Sequence, residues 1–98
     1  RCIAAKLISP THENVFHDFP FLTRKRDQLK AFLAENGVGT KIHYFRPPYL
    51  QPCYPEMNHL EFPVAKRIAD EELSLPCNSS LNDEDIIRVS KLINQFLV

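Results

Sequence analysis

Residues 38–54 read Val-Gly-Thr-Lys-Ile-His-Tyr-Phe-Arg-Pro-Pro-Tyr-Leu-Gln-Pro-Cys-Tyr, the most distinctive stretch of the chain. From residue 39 to residue 44 the side chains alternate with a period of two, which predicts a β-strand. Prolines then follow at positions 47, 48, 52 and 55. Each removes a backbone donor and fixes φ, so neither a helix nor a central strand is predicted after Phe45. The pattern predicts a strand that delivers His43 to the mouth of a stiff, tyrosine-rich loop. Such a loop suits a recognition surface; a connector whose aromatic residues cover the core is the alternative interpretation.

Upstream of this stretch the sequence predicts one strand and one helix. Alternation over residues 15–22 predicts the strand, and Pro20 places it at an edge of the sheet or in a bulge, because proline cannot donate to a ladder. The helix has Thr23 as N-cap, apolar residues at helical spacing, and an Asn-Gly pair at 36–37 as its C-terminal cap. Basic residues 24–26 in the first turn predict a solvated face, with an anion contact as the alternative.

Downstream, the sequence predicts two helices separated by a short strand. The first helix begins with Pro63, and residues 73–77 then alternate as a strand does. The last helix begins at Asn82, which pairs with Asp85 as in a capping box. The predicted apolar stripes comprise Val64, Ala65, Ile68, Ala69 and Leu73 in the first helix and Ile86, Val89, Ile93, Phe96 and Leu97 in the last.

The elements together predict an α/β fold. Residues 1–8 are compatible with about two helical turns, which look like the end of a longer helix. The remaining strands and helices predict a two-layer sandwich, in which helices cover one face of a small, mostly antiparallel sheet. A chain of 98 residues can bury one core and no more.

The composition argues against several classes of partner. Lys+Arg and Asp+Glu both number 12, so the basic surface that binds nucleic acids or anionic membranes is not predicted. Apolar runs fall far short of the ~20 residues of a membrane span, and the N-terminus lacks a signal-peptide pattern. The 3 cysteines lack a CxxC motif and the 4 histidines lack metal-ligand spacing. The sequence predicts a cytoplasmic protein with reduced thiols and no metal, nucleic-acid or membrane partner.

No catalytic constellation is recognisable in the sequence. Nucleophilic catalysis needs a serine or cysteine beside a base, and no nucleophile-elbow motif is present. Cys77, which follows a proline, is interpreted as a small buried residue. The paired carboxylates lie inside predicted helices, where they face water or complement a helix start. Lys41 is the only lysine near the central stretch, and a strand lysine beside a loop is usually exposed. We therefore predict no catalytic residue in this chain.

The order of short motifs along the chain indicates a resemblance to a known protein family. The motifs are Val15-Phe16-His17, Arg26-Asp27-Gln28-Leu29, Asn36-Gly37-Val38-Gly39-Thr40, His43-Tyr44, Pro47-Pro48, Leu50-Gln51-Pro52, Phe62-Pro63-Val64-Ala65, Leu73-Ser74-Leu75-Pro76 and Leu81-Asn82-Asp83-Glu84-Asp85. In this order and spacing, the chain resembles the C-terminal small domain of the pyridoxal-phosphate-dependent sugar aminotransferases of the DegT/DnrJ/StrS class. Residues 58–60 are similar to the branch that makes amino sugars on nucleotide-linked keto-deoxyhexoses.

The resemblance implies a fold-type I aminotransferase that works as a homodimer. Such an enzyme aminates a nucleotide-linked keto-deoxy sugar, with an amino-acid donor such as glutamate. Its larger N-terminal domain holds the Schiff-base lysine and most contacts to pyridoxal 5'-phosphate. The resemblance therefore implies that residues 1–9 end an interdomain linker helix and that residues 10–98 are the small domain. On this reading the chain alone binds no cofactor and does not transaminate.

The resemblance also implies which residues meet the substrate. His43 and Tyr44 lie at the strand end that this class turns towards cofactor and sugar. There an imidazole can hydrogen-bond a hydroxyl or carboxylate, and an aromatic ring can pack on a sugar's apolar face. Arg46 is a third substrate-binding candidate, for a phosphate or the donor's carboxylate. Two alternatives remain, a freestanding interaction or dimerisation module that binds through the loop between Tyr44 and Tyr54, and a degenerate, non-catalytic remnant.

Overall fold

The structure, a computed structural model, describes residues 2–4, 11 and 15–98. In this part of the chain the elements are β1 (Cys2–Ala4), β2 (Phe19–Thr23), α1 (Arg26–Glu35), α2 (Pro63–Glu71), β3 (Glu72–Leu75) and α3 (Asp83–Leu97). Two 3-10 turns, Pro48–Leu50 and Pro55–Met57, lie between α1 and α2. Each begins with proline, whose fixed φ suits the first position of a helical turn.

The strands form one antiparallel sheet in the order β1-β2-β3. Phe21, in the central strand, lies opposite Ala4 on one side and Leu73 on the other. Helix α1 packs against both α3 and β3. The apolar residues of α1 and α3 form one cluster with those of the sheet, so these two helices cover the same face. The predicted two-layer sandwich with a small antiparallel sheet is therefore confirmed.

The core lies between the sheet and helices α1 and α3. Leu29 and Leu33 share a face of α1, and Leu73 faces them from β3; all three are 0% exposed. Burial of each such side chain contributes roughly 1.5–3 kcal/mol. Opposite residues of a ladder share a face, which brings Phe21 to the same side as Leu73. Among the described residues, the buried members of this cluster are Phe21, Leu29, Leu33, Val38, Leu73 and Ile93.

Helix α1 ends in the predicted left-handed cap. Gly37 has a φ of 78°, a conformation that favours glycine because it has no Cβ. The N–H of Gly37 donates to the carbonyl of Ala34 at 3.1 Å, and the N–H of Val38 donates to that of Leu33 at 2.8 Å. These paired bonds are a Schellman motif. The turn sends Val38 into the core and starts the chain on its path to His43.

The start of α1 differs from the prediction. Its N-cap is Lys25, and Thr23 is instead the last residue of β2, where its hydroxyl accepts from the N–H of Lys25 at 3.2 Å. The helix begins later than predicted because β2 extends to Thr23. The predicted solvated face is wrong for Arg26, which is buried and donates from Nη1 to the carbonyl of Ala69 at 2.6 Å. Arg26 thereby ties α1 to α2.

Pro20 occupies the central strand, so its predicted place at an edge is wrong. It lies opposite Ser74, whose backbone N–H and carbonyl both bond to Lys41 on the far side of β3. The Pro20–Ser74 pair is therefore a non-hydrogen-bonded one, and the proline nitrogen faces away from β3. On the other side, the described part of the ladder with β1 pairs residues 21–23 with residues 2–4. The ladder with β3 therefore does not require the donor that proline lacks.

The predicted strand over residues 39–44 is reduced to one bridge. Lys41 exchanges two backbone hydrogen bonds with Ser74, at 3.2 and 2.7 Å. The ladder stops there because the N–H of His43 donates to the side-chain carboxylate of Glu72, at 2.6 Å, instead of to a backbone carbonyl of β3. His43 and Tyr44 lie in a turn.

The predicted N-terminal helix is wrong for Cys2–Ala4, which form β1. A helix of so few residues is marginal alone, whereas pairing with Phe21–Thr23 of β2 satisfies the backbone of these residues. Residues 5–10 and 12–14 lie outside the described residues, as does the rest of that prediction. The interdomain role of residues 1–9 stays a prediction.

The C-terminal helices begin as predicted. Pro63 is the first residue of α2. At the start of α3, Oδ1 of Asn82 accepts from the N–H of Asp85 at 2.8 Å, and Oδ2 of Asp85 accepts from the N–H of Asn82 at 3.1 Å. This reciprocal pair is the predicted capping box, and it satisfies two backbone donors that the helix leaves open.

The predicted apolar stripes of these helices are only partly buried. In α2, Ala69 is buried, but Val64 and Ile68 are exposed. In α3, Ile93 is buried, but Ile86 and Leu97 are exposed. Helical periodicity located one buried residue in each helix, but part of each predicted stripe is exposed among the described residues.

Candidate functional site

His43 lies where the chain leaves the bridge with β3, and two neighbouring side chains fix it there. Its backbone N–H donates to Oε2 of Glu72 at 2.6 Å, and its Nδ1 lies 2.8 Å from Oγ of Ser74. The hydroxyl of Ser74 donates to Oε1 of Glu72 at 2.5 Å. These contacts close a ring of hydrogen bonds that we call the Glu72–Ser74–His43 network.

Strand β3 supplies two members of this network by simple alternation. Leu73 and Leu75 face the core, so Glu72 and Ser74 face the opposite side of the sheet. Both are buried, and among the described residues no buried side-chain nitrogen or oxygen lacks a hydrogen-bond partner. A carboxylate at this depth requires such partners because desolvation disfavours its charge. Sequence reasoning predicted a strand over residues 73–77, which the structure places at Glu72–Leu75, but did not identify these two side chains.

A cleft of about 420 Å³ opens beside the network. Asp18 and Lys41 bring charges of opposite sign to its lining, and Lys41 is exposed. Oδ1 of Asp18 lies 3.9 Å from Nδ1 of His43, too far for a hydrogen bond. This mixture of donors and acceptors suits a polar, hydroxyl-bearing ligand. Residues that line the cleft include His17, Asp18, Thr40, Lys41, His43 and Ser74.

Tyr44 opens to a different hollow. Tyr44 is 73% exposed, and its ring stands edge-on to that of His43, with the centroids 5.2 Å apart. The peptide bond that joins the two residues is cis. With Pro47, Pro48 and Ile68, among others, Tyr44 lines a hollow of about 220 Å³. The structure therefore brings the rings of His43 and Tyr44 into contact. His43 lines the cleft beside the network, and Tyr44 lines the neighbouring hollow.

Helix α2 continues this surface with exposed apolar side chains. Phe62, Val64 and Ile68 line a second hollow, which shares Ile68 with that of Tyr44. We call Tyr44, Phe62, Val64 and Ile68 the apolar patch. A contiguous exposed apolar surface of this kind marks a contact with a ligand, a domain or a subunit.

A single asparagine holds the proline loop in shape. Nδ2 of Asn58 donates to the carbonyl of Tyr49 at 2.8 Å and to that of Tyr54 at 3.1 Å. Tyr49 is buried, and its ring lies edge-on to that of Phe62 at 5.0 Å. The loop is thus a defined surface, as the prolines predict. Its aromatic residues fit both interpretations of the loop. Tyr49 is buried, as expected of a connector, whereas Tyr44 and Tyr54 are exposed, as expected of a recognition surface.

Arg46 is exposed beside this loop. Its carbonyl accepts from Nε2 of Gln51 at 2.9 Å, and no ion pair or hydrogen bond of its guanidinium is found within the described residues. The guanidinium can therefore meet an anionic group of a ligand. A second arginine contacts the loop through a cation–π interaction, because the guanidinium carbon of Arg26 lies 5.8 Å from the ring centroid of Phe45.

The described residues include lysines and cysteines, side chains that can form covalent bonds in catalysis. None of their lysines is buried, and the least exposed, Lys30, donates from Nζ to the carbonyl of Thr40 at 3.2 Å. Cys77, predicted to be buried, is half-buried and donates from Sγ to the carbonyl of Phe16 at 3.1 Å. Within residues 2–4, 11 and 15–98 there is no group of three side chains suited to a metal ion. In the same residues no helix combines the length and the apolar character needed to span a membrane.

Comparison with known proteins gives a consistent match. A model described as the DegT/DnrJ/EryC1/StrS aminotransferase family matches residues 3–94. The dTDP-3-amino-3,6-dideoxy-alpha-D-galactopyranose transaminase of Aneurinibacillus thermoaerophilus is 32% identical over 83 residues, which are 85% of this chain and 23% of the relative. The pleiotropic regulatory protein of Geobacillus stearothermophilus is 38% identical over 85 residues, with the same coverage of 85% and 23%.

A solved structure extends the match to three dimensions. The structure of DesV from S. venezuelae, in complex with a ketimine intermediate, superposes with a TM-score of 0.84 at 30% identity. The match covers 92% of this chain and 25% of DesV. The chain therefore spans about a quarter of the length of the proteins that it matches.

Proposed function

The chain belongs to the DegT/DnrJ/EryC1/StrS aminotransferase family, and we propose that it forms one wall of the substrate cleft in a pyridoxal-phosphate-dependent sugar aminotransferase. In this proposal the substrate is a nucleotide-linked keto-deoxy sugar, and an amino acid donates the amino group. The chain is the C-terminal domain of the enzyme, and a larger N-terminal domain supplies the reactive lysine. Residues 1–9 then lead out of that domain.

The observation that carries the proposal is the side-by-side presentation of His43 and Tyr44 at an open surface. The imidazole offers a ring nitrogen to a sugar hydroxyl, and the phenol ring offers a flat face to the apolar side of the sugar. The exposed guanidinium of Arg46, for which no partner is found among the described residues, pairs with a phosphate or with the carboxylate of the donor. The transaminases among the relatives support this class of substrate.

Pyridoxal phosphate, held by a reactive lysine in the resting enzyme, would supply the electron sink for transamination. The described lysines do not fit that task, because none is desolvated and Lys41, beside His43, is exposed. We propose that the cofactor is held by another part of the enzyme. The role of this chain is to bind the substrate and to exclude water from it, and not to form the covalent bond.

The apolar patch supports a larger assembly. Side chains such as Val64 and Ile68 would be stabilised by removal from water. We propose that the rest of the enzyme covers them and that the enzyme is a homodimer. The free thiols of Cys53 and Cys77 support a reducing, cytoplasmic compartment.

The absorbance of added pyridoxal phosphate tests the proposal. A longer protein, with the residues encoded upstream of Arg1, is expected to bind the cofactor and to show its visible band. The same protein should convert a nucleotide-linked keto sugar to the amino sugar with glutamate as donor. The 98-residue chain alone is expected to show neither. An upstream sequence that encodes no lysine-bearing α/β domain would contradict the proposal.

A second candidate function rests on the exposed residues of the proline loop, namely a freestanding module that binds a partner through the loop from Tyr44 to Tyr54. The mass of the chain in solution separates the two candidates. Self-association that the substitution Tyr54→Ser abolishes, at an exposed loop position outside the apolar patch, would favour the module. A strict monomer in which the patch stays uncovered would favour the domain of a longer enzyme.

A further inference from the structure

We propose that Glu72 and Ser74 are positioning residues that hold His43 in the Nδ1–H tautomer, so that its Nε2 accepts a hydrogen bond from a hydroxyl of the ligand. The identity of that ligand, a sugar, rests on the proposed function. The tautomer itself rests only on contacts within this chain, so the two can fail separately.

The direction of each hydrogen bond follows from the donors that are available. An ionised carboxylate only accepts. Oε2 of Glu72 accepts the backbone N–H of His43, and Oε1 accepts the hydroxyl proton of Ser74. A serine hydroxyl has one proton, and once that proton points at Glu72 the oxygen can only accept. Since Nδ1 of His43 lies 2.8 Å from this oxygen, Nδ1 must carry the hydrogen.

The second ring nitrogen is then defined by elimination. A neutral imidazole has one N–H, so Nε2 carries a lone pair. No hydrogen bond to Nε2 is found among the described residues, and the side chain, 27% exposed, lines the 420 Å³ cleft. Asp18, at 3.9 Å from Nδ1, is too distant to take the place of Ser74.

This arrangement determines what the cleft can recognise at Nε2. A lone pair attracts a donor such as a hydroxyl or an ammonium group and repels the oxygens of phosphates and carboxylates. The network also fixes the ring before the ligand arrives, so little side-chain entropy is lost on binding. His43 is therefore assigned to a hydroxyl of the sugar, and the anionic groups of the substrate are left to other residues.

NMR of the ring nitrogens tests the tautomer at about pH 8, where an ordinary imidazole is neutral. The protonated and unprotonated ring nitrogens have well separated shifts, so the tautomer is read directly. We expect His43 to show a protonated Nδ1 and an unprotonated Nε2. His17 and His59, both exposed, are the internal references. A protonated Nε2 in His43 would overturn the inference.

The variant Glu72→Gln makes the test sharper. Its amide oxygen must face the N–H of His43, so its NH₂ group faces Ser74 and donates to it. The proton of Ser74, which no carboxylate then accepts, is free to be donated to Nδ1, and the tautomer of His43 is expected to invert. An unchanged tautomer in this nearly isosteric variant overturns the inference. The control is the Ser74→Ala background, which lacks the hydroxyl that connects Glu72 to His43. In this background, adding Glu72→Gln is expected to leave the tautomer of His43 unchanged.

Kinetics of the longer enzyme separates the tautomer from the proposed function. With Nε2 protonated, Glu72→Gln should raise KM for the nucleotide sugar by about tenfold and change kcat less, which is the scale of one lost hydrogen bond. An inverted tautomer with no shift in KM would reject the contact to a hydroxyl. An inverted tautomer in a protein that never transaminates would reject the proposed function and leave the network standing.

Discussion

Strand β3 separates two environments of opposite character. On one side Leu73 is 0% exposed and packs into the apolar cluster with α1 and α3. On the other side Glu72 and Ser74 are 3% and 6% exposed, and they hydrogen-bond to each other and to His43. The two faces are buried to nearly the same extent, although one is apolar and the other is polar.

The difference teaches that burial alone does not define the role of a residue. The apolar face stabilises the fold, because each Å² of apolar surface removed from water contributes about 25 cal/mol. The polar face exchanges hydrogen bonds to water for hydrogen bonds within the chain, with a small net gain. What it provides is a fixed position for His43. Substitutions on the two faces should therefore differ in what they change.

The largest effect is expected on the apolar face. Leu73→Ala leaves a cavity among α1, α3 and β2, and should lower the free energy of unfolding by about 2–5 kcal/mol. Urea denaturation of the chain measures this. Val64→Ala, at an aliphatic position that is 73% exposed, is the control and should change stability by less than about 0.5 kcal/mol. Equal losses of stability in the two variants would contradict the claim that Leu73 stabilises the fold through its burial.

A smaller effect is expected on the polar face. Glu72→Ala removes the acceptor of both the His43 N–H and the Ser74 hydroxyl. The unpaired groups should cost about 1–3 kcal/mol in the same denaturation experiment. Glu61→Ala, at an exposed carboxylate, is the matched control and should be close to neutral. A loss at Glu72 that equals the loss at Leu73 would show that the polar face also carries the stability of the fold.

The sequence predicted those parts of the fold that depend on neighbours along the chain. The cap at Gly37 and the capping box of Asn82 and Asp85 are local patterns, and the structure contains both. The predictions that failed depend on distant pairing. Residues 39–44 form one bridge because Glu72 takes the N–H of His43, and Pro20 is central because β1 pairs with β2.

The same distinction applies to the candidate site. The resemblance selected His43 and Tyr44, and the structure places their rings in contact. Glu72 and Ser74 were missed, although their alternation with two leucines places both on the face away from the core. Their partner is His43, which lies 29 and 31 residues earlier in the chain. The alternation of residues within β3 cannot predict a contact with so distant a residue.

Two glycines offer a finer comparison, at the point where the chain passes from the core towards the site. Gly37 has a φ of 78°, so Gly37→Ala is expected to cost roughly 1–2 kcal/mol from backbone strain alone. No heavy atom lies within 4 Å of the position that its new Cβ would occupy. Gly39→Ala also meets open space but needs no positive φ, and is expected to be neutral or to stabilise by about 0.4–1 kcal/mol. Thermal unfolding of both variants checks the sign, and a loss of stability in Gly39→Ala would contradict this account.

The smallest change in stability is expected at the exposed surface of the site. Tyr44 is 73% exposed, so Tyr44→Ala should leave the free energy of unfolding within about 0.5 kcal/mol of the starting protein. Calorimetry or urea denaturation checks this. A loss of several times that size would show that the ring of Tyr44 belongs to the core and is not available to a ligand.

The most direct test of the central claim is KM for the nucleotide sugar, measured in the longer enzyme with Tyr44→Ala and with Ile87→Ala. Both side chains are exposed and apolar, but Ile87 lies on α3, outside the apolar patch and the cleft of His43. The account predicts that KM rises about tenfold or more for Tyr44→Ala, which is the scale of one lost ring contact, and stays unchanged for Ile87→Ala. An unchanged KM in Tyr44→Ala, with activity and stability intact, would contradict the claim that this chain forms a wall of the substrate cleft.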